Sequence, residues 1–265
     1  MLAIVEESNR RLTPGELKKR LLRKISVDAK VLKTAINDLV LSRELTYTYQ
    51  FGCSFLEKSY EKPTRVSRRV VLKPPNMVYE PESGDIVINI LKGVSFGFGD
   101  HPTTRLAIQG IEMALFNKYG DTHVDNGCAL DIGTGSGILA IAAILIGMKR
   151  AVGIDIDSCA RAEAQTNIRL NGLEHRIKIL DTRVEDIKEA YALITANLRY
   201  PTLKQLCPHM TGIMQKNGAV VLSGINSEEV EDLLDIYGQN GFQCTWRASE
   251  KEWAGLTFEY MGDDK

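Results

Sequence analysis

The sequence predicts a doubly wound, mostly parallel α/β domain preceded by a small, basic α+β module. Three observations carry that expectation. From Asp85 onward, short strand-forming runs alternate with apolar-striped helical segments, the pattern of a parallel sheet covered on both faces. A glycine-rich turn, Asp131-Ile-Gly-Thr-Gly-Ser-Gly137, joins one such run to an apolar helix. Charge is also divided unevenly: residues 1–73 carry 16 Lys and Arg against 8 Asp and Glu, whereas residues 74–265 carry 17 against 26. A domain boundary is therefore expected after residue 73, separating a basic module from an acidic unit with a different partner, unless the basic residues simply solvate exposed helix faces.

Within the first module, Thr13-Pro-Gly-Glu16 is a helix start. Thr13 can cap, Pro14 suits the first helical position and Glu16 can close a capping box. A second helix is expected from Asp28, with Val31, Leu32, Ala35, Ile36, Leu39 and Val40 on one stripe. Two strands follow around a turn at Gly52, Leu45–Tyr49 and Ser54–Tyr60. Helices followed by a hairpin resemble a winged helix-turn-helix, a fold that does not by itself name a partner. The proline-rich stretch 63–81 reads as a linker. Beyond it, strands are expected near 86–90, 128–132, 150–155, 176–180, 191–196, 218–223, 242–247 and 255–261. The intervening helices are expected near 102–116, 136–147, 158–171, 200–209 and 227–240.

Composition narrows the class. The longest apolar run, Ile138 to Met148, falls well short of the roughly 20 residues that span a bilayer. The N-terminal residues have no apolar core of a secretory signal, so no membrane partner is expected. Five scattered cysteines without a C-x-x-C pair fit a reducing cytoplasm, and His101, His123, His175 and His209 lack metal-ligand spacing. No metal is expected.

The glycine turn carries the chemistry. Gly133, Gly135 and Gly137 allow a sharp bend and close approach to a ligand, and the next helix offers free N–H groups. Gly153-Ile-Asp155, at the end of the next strand, places a carboxylate where a ribose diol would lie. A dinucleotide fingerprint would need a third glycine where Ile138 or Ala140 stands, and the Lys-Ser/Thr of a P-loop is missing. The D-x-G-x-G-x-G order led by Asp131 is instead the class I methyltransferase form, which implies S-adenosylmethionine; a ligand-free structural turn stays open.

Further segments resemble one family in order and spacing. Ser95-Phe-Gly-Phe-Gly-Asp-His-Pro-Thr-Thr104 is similar to the A-F-G-T-G-x-H-x-T-T signature of ribosomal-protein lysine methyltransferases of the PrmA type. Gly153–Asp157, Asn167-x-x-x-Asn171-Gly172, Ala196-Asn197-Leu198, Leu222–Ile225 and Glu252-Trp253 follow in the same order. The resemblance spans Asp85 to Met261 and implies a seven-stranded class I methyltransferase sheet. It also implies that Thr104, Gly133, Asp155 and Asn197 contact S-adenosylmethionine, with Asp131 and Gly135 completing the loop and Asp181 and Thr182 beside the adenine. Thr104 can alternatively cap the helix at Pro102, and Asp157 reads as a helix cap. Phe98 and Asp100 depart from the family pattern. So does the basic N-terminal module, since the family's longer N-terminal domain selects the ribosomal stalk protein.

Asn197 is the expected catalytic residue, because its side-chain oxygen can accept an N–H from an acceptor amine and aim the lone pair. The sequence after it, Leu198-Arg-Tyr-Pro201, lacks the Pro-Pro of base and amide specialists and agrees with a protein amine. His101 reads as a base or as an ordered loop residue. The function expected is protein N-methylation at lysine or α-amino groups, with a ribosomal protein as the substrate the resemblance implies. The alternatives are an RNA or DNA methyltransferase gripping nucleic acid through residues 1–73, and a non-catalytic cofactor-binding protein.

Overall fold

In the computed structural model, which describes residues 1–6, 8, 10–50, 52–119 and 127–262, Thr13 caps a helix as its spacing with Glu16 predicts. Thr13 Oγ1 accepts the Glu16 N–H at 3.2 Å while Glu16 Oε2 accepts the Thr13 N–H at 3.0 Å. Such a box satisfies two donors that the first turn leaves orphaned and stabilises the helix by about 1 kcal/mol. The chain runs through α1 (Leu2–Glu6), α2 (Pro14–Leu22), α3 (Ala29–Leu41), β1 (Leu45–Gln50) and β2 (Cys53–Lys58). Asp28 caps α3 through the Lys30 N–H. β1 and β2 form an antiparallel hairpin, and Gly52, at φ +77°, makes its turn. Leu12, Leu17, Leu21, Leu32, Ile36, Leu45 and Leu56 form a core of their own. Val5 of α1, a helix the sequence did not announce, joins it.

Contacts divide the chain into Met1–Thr64 and Arg65–Lys265. The stretch expected to be a linker instead carries strands. β3 (Thr64–Arg65), β4 (Val70–Lys73) and β5 (Ile86–Asn89) form a three-stranded sheet, with β4 parallel to β5. Its prolines flank a buried Val70-Val71-Leu72 run that is too short to show a period. Arg65 forks onto both oxygens of Asp85 at 2.7 and 3.0 Å, and the Tyr79 hydroxyl donates to the same carboxylate at 2.6 Å.

The larger unit continues as α4 (Pro102–Tyr119), β6 (Cys128–Ile132), α5 (Ile138–Ile146), β7 (Arg150–Ile154), α6 (Ser158–Leu170), β8 (Ile177–Leu180) and β9 (Tyr191–Asn197). It ends with α7 (Tyr200–Ile213), β10 (Met214–Asn226), α8 (Val230–Gln239), β11 (Phe242–Glu250) and β12 (Trp253–Tyr260). The seven strands are ordered β11-β12-β10-β9-β6-β7-β8. β12 lies antiparallel between β10 and β11, and the other six strands run in one direction. β5, expected among these strands, pairs with β4 instead.

Side chains alternate between two cores, as a sheet buried on both faces requires. Ala129, Leu193 and Val221 pack with Ile108, Ile111 and Ile141, whereas Leu130, Ile194 and Leu222 pack with Leu203, Met210 and Tyr237. The sheet order reverses direction at β6, whose neighbours are β7 and β9. Crevices form at such switch points, beyond the carboxyl ends of the strands.

α6 fixes the segment that leads from β5 into α4. Asn171 exchanges hydrogen bonds with both backbone groups of Asn89, at 2.9 and 2.7 Å. Asn167 accepts the Leu91 N–H and donates to the Ser136 carbonyl, both at 2.9 Å. Glu163 takes the N–H groups of Val94 and Ser95 at 2.8 and 3.1 Å. These three residues recur every fourth position, so they share one side of the helix. They hold the strap at three successive points. Asn167 is 1% exposed, and removing its amide strands a donor and an acceptor. Asn167→Ala is expected to lower unfolding stability by about 2–3 kcal/mol in urea titration, against less than about 1 kcal/mol for an exposed change such as Thr166→Ala.

Candidate active site

A cavity of about 820 Å³ opens at the carboxyl ends of β6, β7, β8 and β9, within the size range of small-molecule sites. Its floor is the glycine turn. Gly133, Gly135 and Gly137 adopt φ of +70°, +54° and +81°, a region that costs an L-residue about 1–2 kcal/mol. Space imposes a second constraint. A Cβ on Gly135 would lie 2.6 Å from the Phe96 carbonyl oxygen of the strap, and one on Gly133 would meet Leu198 at 2.6 Å.

Carboxylates hold the turn from two sides. Asp155, at the end of β7, accepts the Gly135 N–H on Oδ2 and the Asp157 N–H on Oδ1, both at 2.9 Å. It lines the cavity, and each oxygen keeps a lone pair for a ligand hydroxyl. From beneath, Asp131 accepts the hydroxyls of Thr134 at 2.7 Å and Thr195 at 2.8 Å, joining the turn to β9. Asp131 is fully buried and does not form part of the cavity wall. Burial pushes its pKa up to about 6 against the pull of the two hydroxyl hydrogen bonds.

The remaining expected residues divide between the wall and its surroundings. Gly133, Gly135, Thr182 and Asn197 line the cavity with Asp155. Thr104 lies in the first turn of α4, buried, beside the wall residue Thr103. Asp181 points outward to Arg161 at 2.7 Å, and Arg161 also donates to the Asp155 carbonyl at 2.9 Å. Asp157 caps α6 through the Cys159 N–H at 2.9 Å. The Asn197 amide makes no hydrogen bond to the described residues.

His101 stands between two aromatic rings. Phe96 and Trp253 meet it edge-on at 5.1 and 5.0 Å, and all three line the cavity. His101 Nδ1 pairs with the Thr103 hydroxyl at 2.9 Å. Burial, then the nearby Arg105 charge, lowers its pKa, so the ring is neutral at pH 7. Arg105 donates to the Gly99 carbonyl at 2.7 Å and forks onto Glu250, tying the start of α4 to the hairpin that carries Trp253. Phe98, one of the departures from the family signature, turns into the core instead of roofing the cavity.

Spacing alone revealed neither the Arg105–Glu250 pair, whose partners are far apart in sequence, nor Thr195. The repeat of Glu163, Asn167 and Asn171 was the available signal for the strap. Among the described residues no His, Cys, Asp and Glu cluster could hold a metal; His123 lies outside them. A polar organic ligand suits the site. The buried hydroxyls of Ser95, in the wall, and of Thr104 have no hydrogen-bond partner among the described residues, and buried polar atoms are rarely left so. Gly133, Gly135, Asp155, Thr182, Asn197 and the rings of Phe96, His101 and Trp253 all line this one cavity, so one molecule can touch the turn, Asp155 and Asn197 together.

Asp131 also gives the fold a pH signature. Its folded pKa of about 6 exceeds the ordinary 3.8, so the native state binds the proton more tightly than the unfolded chain. The stability this gives is complete below about pH 3.8 and is lost as pH rises through about 6, on the order of 3 kcal/mol. Unfolding titrations of wild type and Asp131→Asn should therefore show the wild-type advantage shrinking between pH 4 and 7. An advantage that grows with pH would contradict the assignment.

Comparison with known proteins agrees with this architecture. Residues 55–260 match the family model described as ribosomal protein L11 methyltransferase (PrmA). Ribosomal protein L11 methyltransferase of Geotalea uraniireducens is 36% identical over 205 residues, covering 76% of this chain and 65% of that one. The same-named protein of Heliobacterium modesticaldum is 33% identical, covering 77% and 63%. The chain thus spans just under two thirds of the length of these relatives. Among solved structures, ribosomal protein L11 methylase of Lactobacillus delbrueckii subsp. bulgaricus superposes with a TM-score of 0.66 at 31% identity, over 74% of this chain and 97% of that one. A putative RNA methyltransferase of Pyrococcus horikoshii, at 14% identity and a TM-score of 0.51, shares the fold. The seven-stranded sheet is the class I methyltransferase sheet, and the chain belongs to the ribosomal protein L11 methyltransferase (PrmA) family.

Proposed function

We propose that this protein transfers a methyl group from S-adenosylmethionine to a lysine or α-amino nitrogen of a protein, with a ribosomal protein as the substrate class. One observation carries the reading. One cavity is lined by the glycine turn, Asp155, the rings of Phe96, His101 and Trp253, and Asn197, whose amide makes no hydrogen bond to the described residues. The family match supports it, and the relatives' names point to ribosomal protein L11.

When bound, S-adenosylmethionine supplies an activated methyl on a sulfonium. Asp155 has free lone pairs for the ribose hydroxyls, Gly133 and Gly135 let the backbone approach closely, and Thr182 lies on the adenine side. Thr104 and Ser95 offer unpaired hydroxyls. Asp131 acts from beneath by holding Thr134, and Asp181 by holding Arg161.

The acceptor amine must be neutral to attack. Deprotonating a lysine of ordinary pKa at pH 7 costs about 4.6 kcal/mol. The Phe96, His101 and Trp253 rings reduce that cost by withholding water from the ammonium. Asn197 Oδ1 accepts one remaining N–H and points the lone pair along the line of attack. Neutral His101, its Nδ1 engaged by Thr103, keeps the wall uncharged.

A nucleic-acid base as acceptor fits less well. Base specialists present an aromatic ring after the strand-end Asn, whereas Tyr200 is outside the cavity wall and hydrogen-bonds Asp232. No described helix is long and apolar enough to cross a membrane, and the described cysteines are all free; a cytoplasmic site of action fits both. The expected boundary after residue 73 moves to Thr64, since residues 65–73 fold with the larger unit, and Met1–Thr64 serves as the partner-binding module in this account.

Radiolabelled S-adenosylmethionine added to a cell extract with the purified protein should label a protease-sensitive, nuclease-resistant product. Asn197→Ala should lower kcat about 100-fold while S-adenosylhomocysteine affinity changes less than about tenfold. Label that is lost to nuclease and survives protease would refute the protein-amine reading.

A further inference from the structure

The unit Met1–Thr64 segregates its charges. Four of its glutamates are neutralised by cations from its first segment or its hairpin: Glu6 by Lys58 at 2.6 Å, Glu16 by Arg10 at 3.0 Å, Glu57 by Arg11 at 2.9 Å, and Glu44 by Lys62. Asp28 uses its carboxylate to cap α3. The cations of α2, the following turn and the start of α3 are left over. Lys18, Lys19, Arg20, Arg23, Lys24, Lys30 and Lys33 form no ion pair among the described residues, and the only carboxylate within their stretch of sequence is that of Asp28. Seven such cations within 16 residues repel one another; Arg20 donates to the Ser8 hydroxyl at 3.3 Å, and the other six make no side-chain hydrogen bond or ion pair to the described residues.

Two other features lie beside this stretch. On α3, Lys30, Lys33, Thr34 and Asn37 are exposed and recur at helical spacing, which makes one hydrogen-bonding face. On β1, against which α3 packs, Tyr47 and Tyr49 are 48% and 73% exposed. Two residues apart on a strand, they share a face. Tyr47, paired with the core residue Leu56, leaves about half of its surface in solvent and Tyr49 leaves more, and the exposed parts of both rings can stack on bases.

We infer that this unit binds nucleic acid containing unpaired nucleotides, with the Lys18–Lys33 cations on the phosphates and Tyr47 and Tyr49 stacking on exposed bases. Phosphate neutralisation accounts for the unpaired cations. Stacking platforms distinguish a single-stranded or looped nucleic acid from a paired duplex, whose base faces are covered. An acidic protein would satisfy the lysines but would leave the tyrosine face unused. Most of the unit precedes the family match, which begins at residue 55, and none of its residues is assigned to the methyl-transfer site. Its test does not depend on the proposed activity.

Fluorescence anisotropy of the full chain with a labelled RNA hairpin carrying an unpaired loop reads this directly. A blunt DNA duplex of the same nucleotide count and anionic vesicles serve as competitors. Affinity should fall about 100-fold between 50 and 200 mM KCl, as expected for four to six released counterions on a single strand. The combined Lys18→Glu, Lys24→Glu, Lys30→Glu and Lys33→Glu variant should bind at least about 100-fold more weakly with a flatter salt dependence. Tyr47→Ala with Tyr49→Ala should cost about tenfold or more at an unchanged salt slope. Circular dichroism melting checks that each variant is folded, and Lys→Gln at the same positions replaces any that is not. No RNA binding at 50 mM KCl, equal or better competition by the duplex or the vesicles, or affinity indifferent to the charge changes would each overturn the inference.

Discussion

Everything functional in the larger unit depends on a backbone turn that only glycine can make and that two carboxylates keep in place. Between Gly133 and Gly137 the chain enters the left-handed region three times within five residues, which no run of L-side chains tolerates. The turn is held because Asp131 draws Thr134 down onto β9 and Asp155 takes the Gly135 N–H from above. The two acids experience different surroundings. Asp131 is sealed beneath the turn with its pKa raised, and Asp155 faces the cavity with lone pairs to spare.

The strap from β5 to α4 completes the cavity, and its position is set by α6 and α4 together. Glu163, Asn167 and Asn171 fix its beginning by side-chain bonds to backbone, so the strap needs no sheet partner there. Ser136 fixes its middle by donating to the Gly97 and Phe96 carbonyls. Arg105 fixes its end by donating to Gly99 while gripping Glu250. The wall of Phe96, His101 and Trp253 is therefore assembled from two distant stretches of sequence, tied together by the pair of buried Arg105 and partly exposed Glu250.

Sequence reasoning reached the parts governed by local rules. Thr13 and Asp28 announced their helices because caps act within three residues, and the glycine turn announced itself because a positive φ demands a particular residue type. Asp155 and Asn197 were legible as strand-end polar residues in an alternating pattern. The β4 strand was not, since three apolar residues between prolines carry no period. Nor was the outward turn of Asp181, which depends on Arg161 two elements away. Asp131 led the motif and was expected among the cofactor contacts, but its place beneath the loop follows from the pleat of β6. Neighbours Leu130 and Ile132 face one core, and Asp131 faces the other side.

The two units divide the labour as their charges suggested: an acidic α/β unit that builds one deep cavity, and a basic helical unit with its own core. The central claim is that the cavity binds S-adenosylmethionine through the Asp155-braced turn. Isothermal titration of the full chain with S-adenosylhomocysteine tests it most directly. The account predicts one site per chain with affinity in the micromolar range, and a loss of about tenfold or more in Asp155→Ala with the fold retained. No heat of binding by the folded wild-type protein, or binding that Asp155→Ala leaves unchanged, would contradict it.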